Sequence, residues 1–321
     1  MRFHLLNAIA MGMLIDGRWS NEDLRRTNTS GEFERPVSPY RDAIGTDAFP
    51  AEAGRYHLFV NAGCPWAYRT ILYRSLKNLT DLVSISVTEP AAGPEGWTFG
   101  ERPDQELGAK HIHDVYTRAD DSFTGRCTVP VLWDRQNMTI VNNESADIIR
   151  MFNSAFDGLA GVRDVDFYPD ELATAIDTHN ERIYRTVNNG VYRCGFAQSQ
   201  AAYDLAFDEL FATLDDLDVL LGDQRYLCGN TVTEADWRLF ATLVRFDVAY
   251  YSRFRCNRNR LIDFPNLWPY TRDLYQHDGV GETVDIEAIK GIYYGRRILP
   301  RGPRIDFGQP HDREQKFSAA A

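Results

Sequence analysis

Residues 55–87 read RYHLFVNAGCPWAYRTILYRSLKNLTDLVSISV, and their pattern decides the first half of the fold. RYHLFV (55–60) is a short apolar run of strand type, while LVSISV (82–87) places apolar residues alternately at Val83, Ile85 and Val87, the period of a half-buried strand. Between them the segment from Pro65 to Leu79 is helical, and proline suits its first turn because the missing N–H would be unbonded there anyway. The unit is therefore β-α-β, a crossover that packs parallel and right-handed.

Working downstream, residues 88–125 form a long irregular insertion bounded by prolines and glycines. TVPVLWD (128–134) and MTIV (138–141) then stand at hairpin spacing, and NESADIIRMFN (143–153) continues as a helix. Over residues 55–153 the order is β-α-β, an excursion, then β-β-α, which is the thioredoxin-like α/β plan. From about residue 170 the period turns helical: 171–189, 201–221 and 234–251 carry apolar residues at i, i+3, i+4 with no strand-like runs between. Thr233 with Asp236 three residues later is a variant of the capping box. Upstream, residues 14–54 show no sustained period and read as an arm draped over a partner surface. The expected organisation is an arm over 1–54, a thioredoxin-like domain over 55–165 and an all-α domain over 166–321.

The chain of 321 residues is 44% hydrophobic and 25% charged, an ordinary globular composition. Its 35 basic and 46 acidic residues leave a net charge of −11, which disfavours a nucleic-acid backbone or an anionic membrane surface as partner. The first residues, broken by His4 and Asn7, make a poor signal peptide and are too short to span a bilayer. An orderly domain is expected to begin near LIDGRW (14–19), which leaves the first ten residues either as an upstream extension with little structure or as a short packed helix. Five cysteines, an odd number at scattered positions, match neither a disulfide framework nor zinc-ligand spacing and fit a reducing cytoplasm. No G-x-G-x-x-G follows a strand and no G-x-S-x-G is present, so nicotinamide and serine-hydrolase chemistry are disfavoured. His111 and His113 have no third ligand nearby and read as loop or surface residues, so no metal is expected.

Cys64 falls at the strand-to-helix junction. A helix N-terminus favours the thiolate, because unsatisfied backbone N–H groups and the macrodipole stabilise the anion. A dithiol motif would need a second cysteine at position 67, which is alanine. The plain structural reading, a buried cysteine serving as a small hydrophobe, is kept for Cys127, Cys194, Cys228 and Cys256; at Cys64 the junction and its neighbours Gly63 and Pro65 favour chemistry. Val129-Pro130 opens a strand where a thioredoxin-like plan places a cis-proline, although only about 5% of X–Pro bonds are cis. A cis bond there turns the Val129 N–H and C=O toward the thiol. Glu144-Ser145 opens the next helix, where a hydroxyl and free N–H groups suit a carboxylate and Glu144 suits an ammonium. Plain N-capping fits that pair as well.

Taken together, CPWAYR (64–69), WTF (97–99), GRCTVPVLWD (125–134), TIVNNES (139–145), NNGVYRCGFA (188–197) and the tyrosines 293–294 resemble the glutathione transferase superfamily. More narrowly they resemble its Xi class, the glutathionyl-hydroquinone reductases, from about Met13 to Pro303. The resemblance implies the glutathione transferase architecture, with Cys64 as catalytic thiol and glutathione, or a related γ-glutamyl thiol, as co-substrate. It implies that Val129 and Pro130 hold the cysteinyl part of glutathione and Glu144 and Ser145 its γ-glutamyl end, with Trp97 stacking on it and Arg126 meeting its charge. Tyr192 and Tyr293 would frame a small aromatic glutathionyl conjugate, with Tyr294 able to exchange roles with Tyr293, and the C-terminal tail would complete that pocket. After Tyr294 the segment YYGRRILPRGP is several residues shorter than the family pattern. A homodimer is also implied. Two other readings compete: a general thiol transferase or dehydroascorbate reductase of the Omega type, which needs no aromatic pocket, and a non-catalytic binding module, which needs no activated thiol.

Overall fold

The computed structural model describes residues 12–21 and 27–295. The upstream extension over 1–10 and the shortened segment beyond Gly295 lie outside the described residues.

The chain divides into two units. The described part of the first comprises residues 12–21, 37–165 and 283–295, and that of the second residues 27–36 and 166–282. The expected arm is thus no body of its own, and its residues are shared between the units. It also contains regular structure, because β1 (Met13–Ile15) and β2 (Arg18–Ser20) pair antiparallel around Asp16-Gly17, both with positive φ. Asp-Gly is the dipeptide that such a two-residue hairpin turn prefers.

The first unit carries the expected plan. β3 (Tyr56–Val60) leads through α1 (Pro65–Leu76) to β4 (Val83–Val87), and β3 and β4 run parallel. The insertion is not irregular throughout: it holds α2 (Ile112–Ala119). Only Ile112, Val115 and Tyr116 of α2 are buried, and so short an apolar stripe is easily lost among flanking loops. β5 (Val131–Asp134) and β6 (Thr139–Asn142) form a hairpin, and α3 (Ser145–Ser154) follows. The sheet order is β4-β3-β5-β6, with β5 antiparallel to β3. β3, central to the sheet, is buried at every residue. The β6 edge is covered by the arm, where Asp42 N–H donates to the Val141 carbonyl (3.0 Å) and Asn142 Nδ2 to that of Asp42 (2.9 Å). Covering an edge in this way removes a template for unwanted pairing.

The second unit is helical. α4 (Ala173–Ile183) passes through a π-helical turn, Tyr184–Asn188, into α5 (Gly190–Phe196), and α6 (Gln200–Asp223) is its longest helix. α7 (Glu234–Arg245) is buried on all sides and continues through a second π-helical turn, Phe246–Tyr250, into the short α8 (Tyr251–Arg253). α9 (Leu267–Tyr275) completes the unit. The Thr233–Asp236 box forms as expected, with Thr233 N–H donating to Asp236 Oδ2 (2.7 Å). Asp236 also accepts from Leu227 N–H and the Tyr270 hydroxyl, both at 2.9 Å, so this fully buried carboxyl organises more than its own helix start.

The last described helix, α10 (Ile286–Tyr294), departs from the expected boundary, since it belongs to the first unit. Glycines on both sides of the contact explain the close approach. A Cβ at Gly63 would stand 2.4 Å from the Ala288 carbonyl oxygen, and one at Gly291 would stand 2.5 Å from Pro90 Cβ. The Tyr68 hydroxyl, 3.0 Å from Thr283 Oγ1, ties down the approach to this helix. Among the described residues no helix is long and apolar enough to cross a membrane.

Candidate active site

In the first unit, Cys64 is the N-cap of α1 with an extended backbone, and Pro65 is the first helical residue. The thiol loop is pinned by Asn61, which is fully buried. Asn61 Oδ1 accepts from the N–H groups of Gly63 (2.9 Å) and Cys64 (3.2 Å), while Nδ2 donates to Thr88 Oγ1 (2.9 Å) and the Glu89 carbonyl (2.8 Å). One amide therefore ties the thiol loop to the chain leaving β4. Ala67 is fully buried, and the motif holds no second thiol.

The Val129-Pro130 peptide bond is cis. Cys64 Sγ lies 4.0 Å from the Val129 carbonyl oxygen, so the expected juxtaposition of thiol and cis-proline loop is present. Glu144 caps α3, accepting from Ala146 N–H at 3.1 Å, and its other oxygen accepts from the Ser38 hydroxyl at 3.0 Å. Ser145 is buried at the first turn, and Arg69 Nη1 donates to its hydroxyl at 3.4 Å. Arg69 is itself only 2% exposed and stacks over the Trp66 ring, its Cζ 4.8 Å from the centroid. A buried guanidinium thus stands behind the start of α3. Trp97 is buried, and its Nε1 has no hydrogen-bond partner among the described residues. Arg126 is half-buried just before the cis-proline loop, Tyr293 is buried on α10, and Tyr294 is more exposed.

Tyr192 belongs to the second unit. It sits in an aromatic cluster with Phe33, Phe196, Tyr250 and Phe254, the ring centroids of Tyr192 and Phe254 lying 5.2 Å apart. The Arg35 guanidinium lies over the Tyr192 ring, 5.1 Å from its centroid, and Arg35 Nε donates to Asn189 Oδ1 at 3.2 Å. The two π-helical turns lead into this cluster, one just before Tyr192 and the other carrying Tyr250.

Electrostatics separates the cysteines. Burial pushes Cys127 up to about 12, raises Cys228, and with the neighbouring Cys194 raises Cys256 well above the ordinary thiol value. Those three favour the protonated thiol. Of the five cysteines, Cys64 alone stands at a helix N-terminus, the position that favours a thiolate.

Two family models match, the glutathione S-transferase N-terminal domain over residues 63–155 and its C-terminal domain over residues 200–273. The chain is 45% identical to the glutathionyl-hydroquinone reductase YqjG of Escherichia coli, over 96% of this chain and 100% of that one. It is also 45% identical to the glutathionyl-hydroquinone reductase PcpF of Sphingobium chlorophenolicum, over 91% and 96%. A Xi class transferase structure from Natrialba magadii superposes with a TM-score of 0.84 at 43% identity, covering 96% of this chain and 98% of that one. The chain belongs to the Xi-class glutathione transferases.

Within this Xi-class chain, sequence reasoning missed Ser38, Asn61 and Arg69. Arg69 stands inside the CPWAYR motif, and an arginine one turn after the thiol on an otherwise apolar helix start was its available signal. Asn61 and Ser38 act through contacts that no local pattern encodes. The histidine reading also needs correction. His111, His113 and Asp114 each offer a ligand atom, and these lie within 4.8 Å of one another, so a third group does stand nearby. Asp114 is already engaged, because one of its oxygens accepts from the N–H groups of Lys110 (2.8 Å) and His111 (2.9 Å) at the start of α2. Burial opposes its ionisation, but hydrogen bonds from His113 and these two N–H groups hold it at about 2.

Proposed function

We propose that this protein reduces glutathionyl-hydroquinones to hydroquinones at the expense of glutathione, with Cys64 as nucleophile. The observation that carries the reading is Cys64 at the start of α1 with its sulfur facing the Val129 carbonyl across the cis-proline loop. Relatives at 45% identity that are named for this activity support it, as does the structure of YqjG with glutathione bound, which matches with a TM-score of 0.84.

In the first half-reaction the Cys64 thiolate attacks the sulfur that joins glutathione to the ring. A Cys64–glutathione disulfide forms, the carbon–sulfur bond breaks, and its electron pair passes to the ring carbon, which takes up a proton to give the hydroquinone. In the second, the thiolate of another glutathione attacks the glutathionyl sulfur of that disulfide, releasing glutathione disulfide and restoring Cys64. With alanine at position 67, no neighbouring thiol intercepts the intermediate, and ping-pong kinetics follow.

The Val129 backbone and Pro130 would align the cysteinyl part of glutathione, while Glu144, Ser145 and the α3 start would take its γ-glutamyl ammonium and carboxylate. The Trp97 Nε1–H offers a donor to the bound tripeptide and Arg126 a charge. Tyr192 and Tyr293 would frame the ring and hydrogen-bond its oxygens. The relatives named for this activity favour this reading over a general thiol transferase. Free thiols throughout the described chain suit a reducing cytoplasm, and the family supports a homodimer, which light scattering in solution would test.

The deciding experiment is intact-mass analysis after mixing the protein with a glutathionyl-hydroquinone. A glutathione-sized adduct on the wild type, lost in Cys64→Ala, is expected; no adduct on the wild type would overturn the reading.

A further inference from the structure

Tyr116 lies on α2, outside every motif that marks the site, and is fully buried. Its ring meets Tyr40 edge-on, with centroids 6.0 Å apart, and packs at a tilt against Phe123 at 5.1 Å. Its hydroxyl donates to the Thr128 carbonyl (3.0 Å) and accepts from the Thr128 N–H (3.2 Å) and from Asn143 Nδ2 (2.9 Å). Thr128 immediately precedes Val129, and Asn143 immediately precedes Glu144. Asn143 is fixed in turn by the arm, with Tyr40 N–H donating to its Oδ1 and its own N–H donating to the Tyr40 carbonyl, both at 3.2 Å. A single oxygen therefore joins the chain entering the cis-proline loop to the chain entering α3.

We propose that Tyr116 is a positioning residue that sets the spacing between the two halves of the glutathione cradle, the Val129 backbone and the Glu144-Ser145 helix start. The inference rests on the function proposed above, because it takes those two places as the cysteinyl and γ-glutamyl subsites. Glutathione spans both at once, so its affinity depends on the distance between them, whereas the reactivity of Cys64 depends on the start of α1. Removing the hydroxyl cuts the direct link between Thr128 and Asn143, leaving the β5–β6 pairing as the remaining tie, and touches neither Asn61 nor the thiol loop. Tyr116 touches neither glutathione nor the ring and acts through Thr128 and Asn143.

The test uses the full chain, with S-methylglutathione as an unreactive probe of the cradle. Wild-type binding is measured first by calorimetry, and failure of the wild type to bind would overturn the assignment of the cradle itself. Given binding, Tyr116→Phe is expected to weaken it about tenfold, the loss of roughly one hydrogen bond's worth of preorganisation. The KM for glutathione should rise in parallel, while kcat at saturating glutathione and the titre of one reactive thiol per chain stay at the wild-type level. A merely structural role would lower the active titre and leave the affinity of the remaining molecules unchanged. Asn143→Ala cuts the same link from the other side and serves if Tyr116→Phe does not fold. The two together should weaken binding no more than either alone. Unchanged affinity in both variants, or effects that multiply in the double variant, would refute the proposal.

Discussion

Replacing Gly63 by alanine should force α10 away from the thiol loop. The added Cβ would lie 2.4 Å from the Ala288 carbonyl oxygen, 2.8 Å from its carbon and 3.2 Å from the Ile289 nitrogen. Ordinary contact begins near roughly 3.5 Å, so a separation of about 1 Å is required. All three opposing atoms are backbone, and no side chain can rotate out of the way. Overpacking of this kind costs about 1–3 kcal/mol, read as a lower midpoint in urea unfolding. Because α10 carries Tyr293 and Gly63 adjoins Cys64, kcat/KM toward a glutathionyl-hydroquinone should fall by at least about tenfold, the equivalent of about 1.4 kcal/mol. Gly190→Ala is the control. Its Cβ would meet nothing closer than 3.7 Å, and alanine in a helix is favoured over glycine by about 0.5–1 kcal/mol, so that variant should be as stable as the wild type or slightly more so. A Gly63→Ala protein with the wild-type midpoint and turnover would refute the packing of α10 on the thiol loop.

Three further outcomes are expected. Asn61→Ala removes the amide that holds Gly63, Cys64, Thr88 and Glu89 together; with net losses of about 1 kcal/mol per hydrogen bond it should cost about 3–5 kcal/mol, and a loss below 1 kcal/mol by denaturant titration would contradict the role given to it. Burial pulls His57 down to about 4, against an unfolded value near 6.5. Above pH 6.5 the ring is neutral in both states; as the pH falls the unfolded chain takes up a proton that the folded ring refuses, so stability declines down to about pH 4. In His57→Gln that part of the decline should vanish, and parallel stability–pH curves for variant and wild type would rule it out. Gly195→Ala would place a Cβ 2.4 Å from two ring carbons of Phe254. It should raise the KM for the aromatic substrate through the Tyr192 cluster, with less effect on reduction of a small aliphatic disulfide, and equal effects on both would argue against an aromatic site there.

Features that depend on near neighbours along the chain were legible in the residues alone. The β3-α1-β4 crossover followed from periods of 2 and 3.6, the Thr233–Asp236 box from three-residue spacing, and Cys64 at a helix start from the adjoining Pro65. Cis-proline 130 was legible because the order of elements gave Val129-Pro130 a meaning that the dipeptide alone does not have. Tertiary structure decided the rest. α2 has one short buried stripe, too little for its period to stand out against the turns around it. The Asp16-Gly17 hairpin, by contrast, did carry a turn signal, but strands of three residues are too short for alternation to confirm it. The assignment of α10 to the first unit depends on Gly63 admitting the Ala288 backbone and Gly291 admitting the Pro90 ring, and a glycine does not disclose what approaches it. Asn61 and Tyr116 are ordinary residues in sequence, and each takes its role from hydrogen bonds to partners 27 residues away, Thr88 and Asn143. Capping and period act within a few residues, whereas the spacing of a binding cradle is set by groups that only the folded chain brings together.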